Sequence, residues 1–396
     1  MSRILSGTNL KLARDQNMRV VLQSVRVHGP VSRPELAQFT GLTPQAVTYM
    51  CRELLEAGLI HETGLRRGGR GQPATELSVN PDGGYSIGVN VDRDHLTVLL
   101  LDFGGNVRGR VHWEERFLPP EETLARVEHA FTNLLAESGL AMDDLVGVGL
   151  AVPYRIGYLR SSITPSSYAT WRDYPIGERL AKLTDLTVYV ENDASTAAFG
   201  EIHYGLGTRF RNFFYVFLGI GLGGSLVVNG DYVPGASGHG GEIGFIPALN
   251  GSGTLDTTRT IQADVSLGAL YAHLARTGIE VSDPEALAAL HAAGEPEITA
   301  WIEKAANGLL ASLLTIICAI GPEAVVIGGR MPKPLIGDLI EAIEDRIRPH
   351  QSQLPGTTPI ATTACSTDAA ALGAAILPFA DLFLPRLGDR ATRIAA

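Results

Sequence analysis

The chain has 396 residues, 45% of them hydrophobic, and a formal net charge of −10. That length leaves room for two or three domains, and that apolar fraction excludes a mainly disordered chain. The three cysteines (Cys51, Cys318, Cys365) are too far apart to suggest disulfides or a metal cluster, no run of eighteen apolar residues occurs, and the start Met1-Ser2-Arg3-Ile4-Leu5 lacks a secretory pattern; a soluble cytoplasmic protein without membrane association is expected.

Charge is unevenly spread. Residues 1–80 hold 10 Lys/Arg against 6 Asp/Glu, a net of +4, while the remainder holds 22 against 36, a net of −14. A basic head on an acidic body suits a nucleic-acid reader fused to another function. Met18, Val21, Leu22 and Val25 at helical spacing predict a first helix over 15–28. Ser32 with Glu35 forms a capping-box pattern before a second helix, and Gly41 supplies a turn. Thr43 then caps a third helix that Pro44 opens. On it Val47, Cys51 and Leu54 fall at i, i+4, i+7 and face the core, while Gln45, Thr48, Tyr49 and Arg52 share the other face. All four can hydrogen-bond, as a helix-turn-helix requires of the face it lays in a major groove. Short strands at 59–62 and 75–79 bracket Gly64-Leu65-Arg66-Arg67-Gly68-Gly69-Arg70, the pattern of a wing whose arginines reach phosphates or a narrow minor groove. A flexible interdomain linker is the alternative for this glycine-rich stretch. The candidate DNA-contacting residues are Ser32, Arg33, Thr43, Gln45, Thr48, Tyr49, Arg52, Arg66, Arg67 and Arg70.

Asn80-Pro81-Asp82-Gly83-Gly84 marks a boundary. Beyond it the pattern predicts strands at 85–91 and 96–102, a helix at 121–137, strands at 146–152 and 186–190, and a helix at 194–204. Strands at 213–218 and 225–229 flank a glycine-rich turn; helices at 281–293 and 297–320 precede a strand at 324–327. Mixed strands and helices mean an α/β body, and the order of strand, hairpin, crossover helix and strand, seen twice, suggests two lobes with a cleft between them. The expected division is 1–80 for a winged helix-turn-helix, 81–200 for a small α/β lobe, and 201–396 for a large α/β lobe carrying the dimerisation surface and a C-terminal helix.

Several body segments together resemble the ROK family, which unites bacterial sugar kinases with sugar-responsive repressors: Ile87-Gly88-Val89-Asn90-Val91-Asp92, Glu191-Asn192-Asp193-Ala194, Leu218-Gly219-Ile220-Gly221-Leu222-Gly223-Gly224, Gly240-Gly241-Glu242-Ile243-Gly244, Val326-Ile327-Gly328-Gly329 and Ala371-Leu372-Gly373-Ala374-Ala375. The head, with Ser32-Arg33-Pro34-Glu35-Leu36-Ala37, looks like that of the family's repressor branch. The resemblance implies an actin-like, ribonuclease H-like pair of lobes with sugar in the cleft and, in the kinases, ATP beside it.

Each motif has a chemical consequence. Where the kinases carry Asp-x-Gly-x-Thr, this chain has Asn90, Asp92 and Asp94, so the glycine that lets backbone N–H groups approach a phosphate is missing. Like charges about 4 Å apart repel by about 1 kcal/mol in water and about 4 kcal/mol at a surface-like dielectric, which disfavours a triphosphate. The second glycine loop (Gly219, Gly221, Gly223, Gly224) is retained and reads as a tight hairpin turn. By resemblance Asp193 holds the catalytic-base position, and Asn192 and Asp193 would hydrogen-bond sugar hydroxyls; either would also cap a helix in any α/β protein. Glu242 matches a sugar-contacting glutamate. Phe245 stands where the family has a histidine that touches sugar and binds zinc, and the cysteine cluster expected downstream is absent from 246–260, so no metal is expected. His239 reads as a loop residue. Ser167 lies in the segment where the kinases place an asparagine ahead of Trp171, itself expected to be a core anchor. The expected ligand set is Ser167, Asn192, Asp193, Glu242 and Phe245, with no catalytic residue and no cofactor.

These readings converge on a sequence-specific transcriptional regulator, a repressor of carbohydrate uptake or catabolism genes. It would act as a homodimer or homotetramer on a pseudo-palindromic double-stranded DNA operator and respond to a sugar or sugar derivative in the cleft. A sugar kinase with an appended DNA-binding head, and a regulator controlled by a protein partner, are the alternatives.

Overall fold

The computed structural model describes residues 10–66, 74–158, 164–236, 238–249, 253–281, 283–385 and 392–395. The head consists of α1 (Leu10–His28), β1 (Val31–Ser32), α2 (Arg33–Thr40), α3 (Pro44–Glu56), β2 (Ile60–Arg66) and β3 (Ala74–Val79). Its three strands form one sheet in the order β1-β3-β2. Gly41, at φ 68, ends α2 in the left-handed conformation that glycine adopts without a Cβ penalty. The Thr43 hydroxyl accepts from the Ala46 N–H at 3.3 Å and starts α3. Val47, Met50, Cys51 and Leu54 bury one side of α3 against Leu36 of α2 and Val21, Leu22 and Val25 of α1.

The first lobe begins with β4 (Tyr85–Val91), β5 (His95–Asp102) and β6 (Val107–Glu114), continues through α4 (Pro120–Ser138), β7 (Leu145–Val152), α5 (Ile176–Thr184) and β8 (Val188–Asn192), and leads into α6 (Asp193–Tyr204). The second contains β9 (Phe213–Leu218), β10 (Leu222–Val228), β11 (Asp231–Tyr232), β12 (Pro247–Leu249), β13 (Leu255–Thr260), α7 (Leu267–Arg276), α8 (Pro284–Ala292), α9 (Pro296–Ile320), β14 (Ala324–Gly329), α10 (Lys333–Ile347) and β15 (Ile360–Thr362). The chain closes with α11 (Ala369–Phe383) and β16 (Thr392–Ile394).

The two main sheets share one logic. In β16-β8-β7-β4-β5-β6, strands β4, β5 and β6 are antiparallel neighbours, whereas β7 joins β4, and β8 joins β7, in parallel. In β11-β10-β9-β14-β15, an antiparallel run β9-β10-β11 is extended in parallel by β14 and then β15. Every residue of β4 and β5 is buried, as expected of strands covered on both faces.

The expected split at residue 200 does not follow the chain. Residue 200 lies inside α6, and the chain returns to the first lobe after 369: α11 packs on β4 and β7, and β16 pairs with β8. Alanine and glycine at the contact points of α11, and glycine opposite them, are what allow this. A Cβ on Gly88 would lie 2.0 Å from the Ala371 carbonyl oxygen, one on Gly149 would lie 1.8 Å from that of Ala374, and one on Gly373 would lie 1.7 Å from that of Thr196. Backbones touch where side chains normally keep them apart.

Head and body meet through an unbroken apolar cluster running from Leu22 and Leu77 to Phe103, Phe199 and Phe379. Arg19 Nη1 donates to the carbonyls of Asp381 (2.7 Å) and Leu384 (2.9 Å) at the end of α11. Arg26 Nη2 lies 2.6 Å from His203 Nδ1 on the last turn of α6. The junction is pinned from both sides: Asn80 Nδ2 donates to the Gly58 carbonyl at 2.7 Å, and the Phe103 N–H donates to the Pro81 carbonyl at 3.0 Å. Among the described residues one helix, α9, is long and apolar enough to cross a membrane. Its Trp301, Ala305, Leu309 and Leu313 instead lie in the core of the second lobe.

Two glycine-to-alanine substitutions in helices separate space from helix propensity. Gly373→Ala forces a methyl into backbone and should cost about 1–3 kcal/mol or more. Gly337→Ala in α10, with nothing within 4 Å of the new Cβ, should stabilise by about 0.5–1 kcal/mol. Denaturant melts of both variants measure the opposite signs.

Candidate functional site

The reading face of α3 is as its spacing predicts. Gln45, Thr48, Tyr49 and Arg52 are exposed and line one shallow depression together with Pro44. They are partly pre-ordered. The Thr48 hydroxyl donates to the Pro44 carbonyl at 2.8 Å, and the Tyr49 hydroxyl donates to Glu53. Arg14 of α1 donates to the Tyr49 hydroxyl at 2.7 Å and pairs with Glu53, and the Arg14 and Arg52 guanidinium carbons lie 5.1 and 5.2 Å from the Tyr49 ring centroid. Thr43 is exposed at the start of α3, and Arg33 reaches the wing strand, 3.2 Å from Glu62. Ser32 departs from expectation. It is 6% exposed, and both its N–H and its hydroxyl donate to Glu35, at 2.9 and 2.7 Å, so capping consumes its donors. Arg66 ends β2, while Arg67 and Arg70 lie outside the described residues.

The second site is a cleft of about 480 Å³ lined from both lobes. It brings together Asn192, Asp193, Glu242 and Phe245. The β8–α6 junction positions the first two: the Asn192 side-chain oxygen caps α6 by accepting from the N–H groups of Ala194 (2.9 Å) and Ser195 (3.2 Å). Its Nδ2 donates to Glu242 Oε1 at 3.3 Å. Capping and site placement are thus one arrangement. The Asp193 Oδ1 accepts from the Ala194 N–H at 2.8 Å. Burial, with Asp92 and Glu242 nearby, pushes the Asp193 carboxyl up to about 7, and burial raises Glu242 too, against the pull of Arg93. Just behind, burial lifts Glu191 to about 7, although it accepts from the Tyr232 hydroxyl at 2.8 Å. Ser167 is not part of the cleft. It is exposed on the turn before Trp171, where its carbonyl accepts from the Thr170 hydroxyl at 2.9 Å. Trp171 is buried, its indole N–H donating to the Leu118 carbonyl at 2.7 Å.

Charged side chains lie between the glycine loop and the end of β4. Asp92 and Arg93 line the cleft, and Arg93 Nη1 is 3.7 Å from Asp92 Oδ1. A Cβ on Gly219 would lie 3.3 Å from Asp92 Oδ2, and one on Gly221 would lie 3.4 Å from Arg93 Nη1. Burial and Asp94 push Asp92 up. Asn90 Nδ2 donates to His95 Nε2 at 2.9 Å, which leaves the Nδ1–H to donate to Asp94 Oδ1 at 2.6 Å. Burial works against the Asp94 charge, but His95 and Arg330 hold that carboxyl down to about 2. Arg330 also pairs with Glu114.

None of the four loop glycines has a left-handed φ. Their smallness matters for space: Cβ atoms on Gly223 and Gly224 would lie 2.9 Å from the Ala194 Cβ and 2.8 Å from the Gly241 carbonyl oxygen. The expected hairpin turn is present, with Leu218 and Leu222 paired on either side of Gly219 and Gly221, and Gly223 and Gly224 pack closely against α6 and the Glu242 loop.

A zinc ion is not suited by the residues at Phe245. That side chain offers only carbon and stands edge-on to Tyr154, with centroids 6.1 Å apart, while the His239 ring lies tilted against Tyr154 at 3.9 Å. The acidic and histidine side chains of Asp92, Asp94 and His95 lie within 4.8 Å of one another, but Arg330, 3.7 Å from Asp94, already supplies positive charge there.

Sequence reading missed Arg93, Tyr154, Arg155, Tyr158, Arg172 and Gln262, all in the cleft wall. Arg93 sits between two flagged acids; the others carry no spacing signal, because loops deliver them.

The raised Asp193 carboxyl makes the folded state hold a proton that the unfolded chain releases. Its contribution to stability is complete below its ordinary value of 3.8 and is lost as pH rises through about 7. Asp193→Asn should therefore raise the melting temperature relative to the parent at pH 8 and do so much less at pH 5. A difference independent of pH in paired melts contradicts this assignment.

The ROK family pattern matches residues 86–380, and a winged helix-turn-helix DNA-binding pattern matches residues 14–61. An uncharacterised protein, y4fQ, of Sinorhizobium fredii is 28% identical over 92% of this chain and 90% of its own length. The xylose repressor of Bacillus subtilis is 28% identical over 58% of this chain and 60% of its own, and the N-acetylglucosamine repressor of Escherichia coli O157:H7 is 26% identical over 60% and 59%. The crystal structure of a ROK family transcriptional regulator, a homologue of the E. coli MLC protein, superposes with a TM-score of 0.70 at 22% identity, covering 93% of this chain and 96% of that one. The ROK hexokinase of Thermus thermophilus has a TM-score of 0.55 at 23% identity over 75% of this chain and 99% of its own, which speaks to the fold of the body. With its body matched over most of its length, this chain belongs to the ROK family.

Proposed function

We propose that this protein is a sequence-specific transcriptional repressor of carbohydrate uptake or catabolism genes, acting in the cytoplasm and released by a sugar or sugar derivative in the interlobe cleft. The observation that carries this reading is the double duty of α6. Its first turn holds Asn192 and Asp193 in the cleft wall, and its last turn holds His203 against Arg26 of the head. Twelve residues of helix make a rod about 18 Å long, short and stiff enough to pass a small tilt from one end to the other. A ligand that binds one cleft geometry better shifts the seat of the head and so the spacing of paired reading helices. Two heads of a homodimer or homotetramer would then lose register with the half-sites of a pseudo-palindromic operator. The names of the xylose and N-acetylglucosamine repressors support the same assignment.

The kinase-like body performs recognition without phosphoryl transfer. Asp193 lies in the cleft wall, and the closeness of Asp92 and Arg93 to Gly219 and Gly221 supports a cleft that holds no nucleotide phosphate. Residues 1–80 act as the DNA-binding head, Gln45, Thr48, Tyr49 and Arg52 read bases, Thr43, Arg33 and the wing arginines contact phosphate, and no metal or cofactor takes part.

Gln45→Ala should lose about 1–3 kcal/mol of discrimination at particular base pairs. Operator selection followed by binding assays checks this; equal loss on random DNA contradicts a base-reading role. Asp193→Ala should retain operator binding and lose the response to the inducing sugar. The purified protein should give no ATP-dependent phosphorylation of any monosaccharide that raises its melting temperature, and turnover in a coupled assay overturns that part of the proposal.

A further inference from the structure

The cleft carries more positive charge than a neutral sugar requires. Arg155 and Arg172 both line it, and both are exposed. Their guanidinium carbons lie 4.9 and 5.1 Å from the centroid of Tyr158, which is also in the wall. Among the described residues neither pairs with a carboxylate.

These groups are placed by a built turn. Arg155 has φ 53, in the left-handed region that a side chain with a Cβ rarely enters; such outliers concentrate at binding sites. The Tyr158 N–H donates to the Arg155 carbonyl at 3.0 Å and closes the turn. Gly157 at φ 82 leans on the segment of buried Trp171: a Cβ there would lie 2.8 Å from the Arg172 nitrogen. Arg172 Nε donates back to the Gly157 carbonyl at 3.1 Å, which orients the plane of its guanidinium.

The acidic groups of the same cleft are separately placed and mostly covered. Asp92 is 5% exposed and Asp193 is 7% exposed. Carboxylates suit hydroxyl donors, and the planar fork of arginine suits phosphate or carboxylate oxygens. The cleft is therefore graded: Asp92, Arg93 and Asp193 lie buried, with Arg93 3.7 Å from Asp92, while Arg155 and Arg172 add two donors at its exposed wall.

We propose that the ligand is a saccharide bearing an anionic substituent, phosphate or carboxylate, bound with ring hydroxyls toward Asn192, Asp193 and Glu242 and the anion toward Arg155 and Arg172. This rests on the reading of the cleft as a sugar sensor. A volume of about 480 Å³ accommodates the substituent as well as the ring, within the range of about 300–1,000 Å³ usual for small-molecule sites.

Calorimetric titration of the purified full chain tests it with matched sets: glucose, glucose 6-phosphate and glucuronate; galactose, galactose 6-phosphate and galacturonate; N-acetylglucosamine and its 6-phosphate. In the set that binds, an anionic member should bind on the order of ten- to a hundred-fold tighter than its neutral parent. The phosphate and uronate arms identify which anion is meant. Arg155→Ala with Arg172→Ala should bring anionic and neutral members to equal affinity without weakening the neutral one, and the double lysine variant should restore part of the preference. A neutral sugar that binds as tightly as its anionic partners, with loss on Asp193→Ala, overturns the inference and leaves the sensor reading intact. Equal weakening of all members in the alanine variant, with an unchanged melting temperature, also overturns it. Binding by no member of any set overturns the sensor reading and the inference with it.

Discussion

Contact between backbones without intervening side chains is the constraint on which the molecule rests. Gly88 and Gly149 on two neighbouring strands admit α11 onto the first sheet, and Gly373 and Gly200 admit α6 onto α11. A single methyl at such a point falls far inside van der Waals distance of a carbonyl oxygen, and backbone relaxes less readily than a side chain. The result locates α6 against both lobes. Its N-terminus defines the cleft and its C-terminus the seat of the head.

Charge follows from the same packing. With α6 and the Glu242 loop drawn close, Asp193, Asp92 and Glu242 share a poorly hydrated space, and burial favours their protonated forms. Asp94 escapes this because His95 and Arg330 face it directly. Behind the cleft, Asn90, His95, Asp94, Arg330 and Glu114 are linked in one chain of hydrogen bonds and ion pairs.

Much of the fold was legible in the chain. The helix at 44–56 is announced by a cap, a proline and apolar residues at i, i+4, i+7, and these features act within one turn of each other. The strands β4, β5, β7 and β9 are continuous apolar runs of the length that buried strands need. The return of the C-terminal segment was not legible. Nothing local in Thr392–Ile394 says that it pairs with Val188–Val190, because register between distant strands is a tertiary property. Ser32 was read correctly as a cap, and its N–H and hydroxyl, both engaged with Glu35, are the donors that a DNA contact would have to share.

The sequence by itself determined which chemistry is available: a basic head with a polar, exposed helix face, an α/β body with glycines at defined places, and a set of acids in the order the family resemblance implies. These depend on residue identity and short-range spacing. Only the tertiary structure decided which of these groups meet. It brought Asn192, Asp193, Glu242 and Phe245 to one cleft and left Ser167 outside, and it added Arg93, Arg155 and Arg172 from loops without periodicity. The physical reason is that a cleft between lobes is assembled from segments as distant in sequence as Asp92 and Gln262, and their approach is governed by how closely helices and strands can pack rather than by any local preference of the chain.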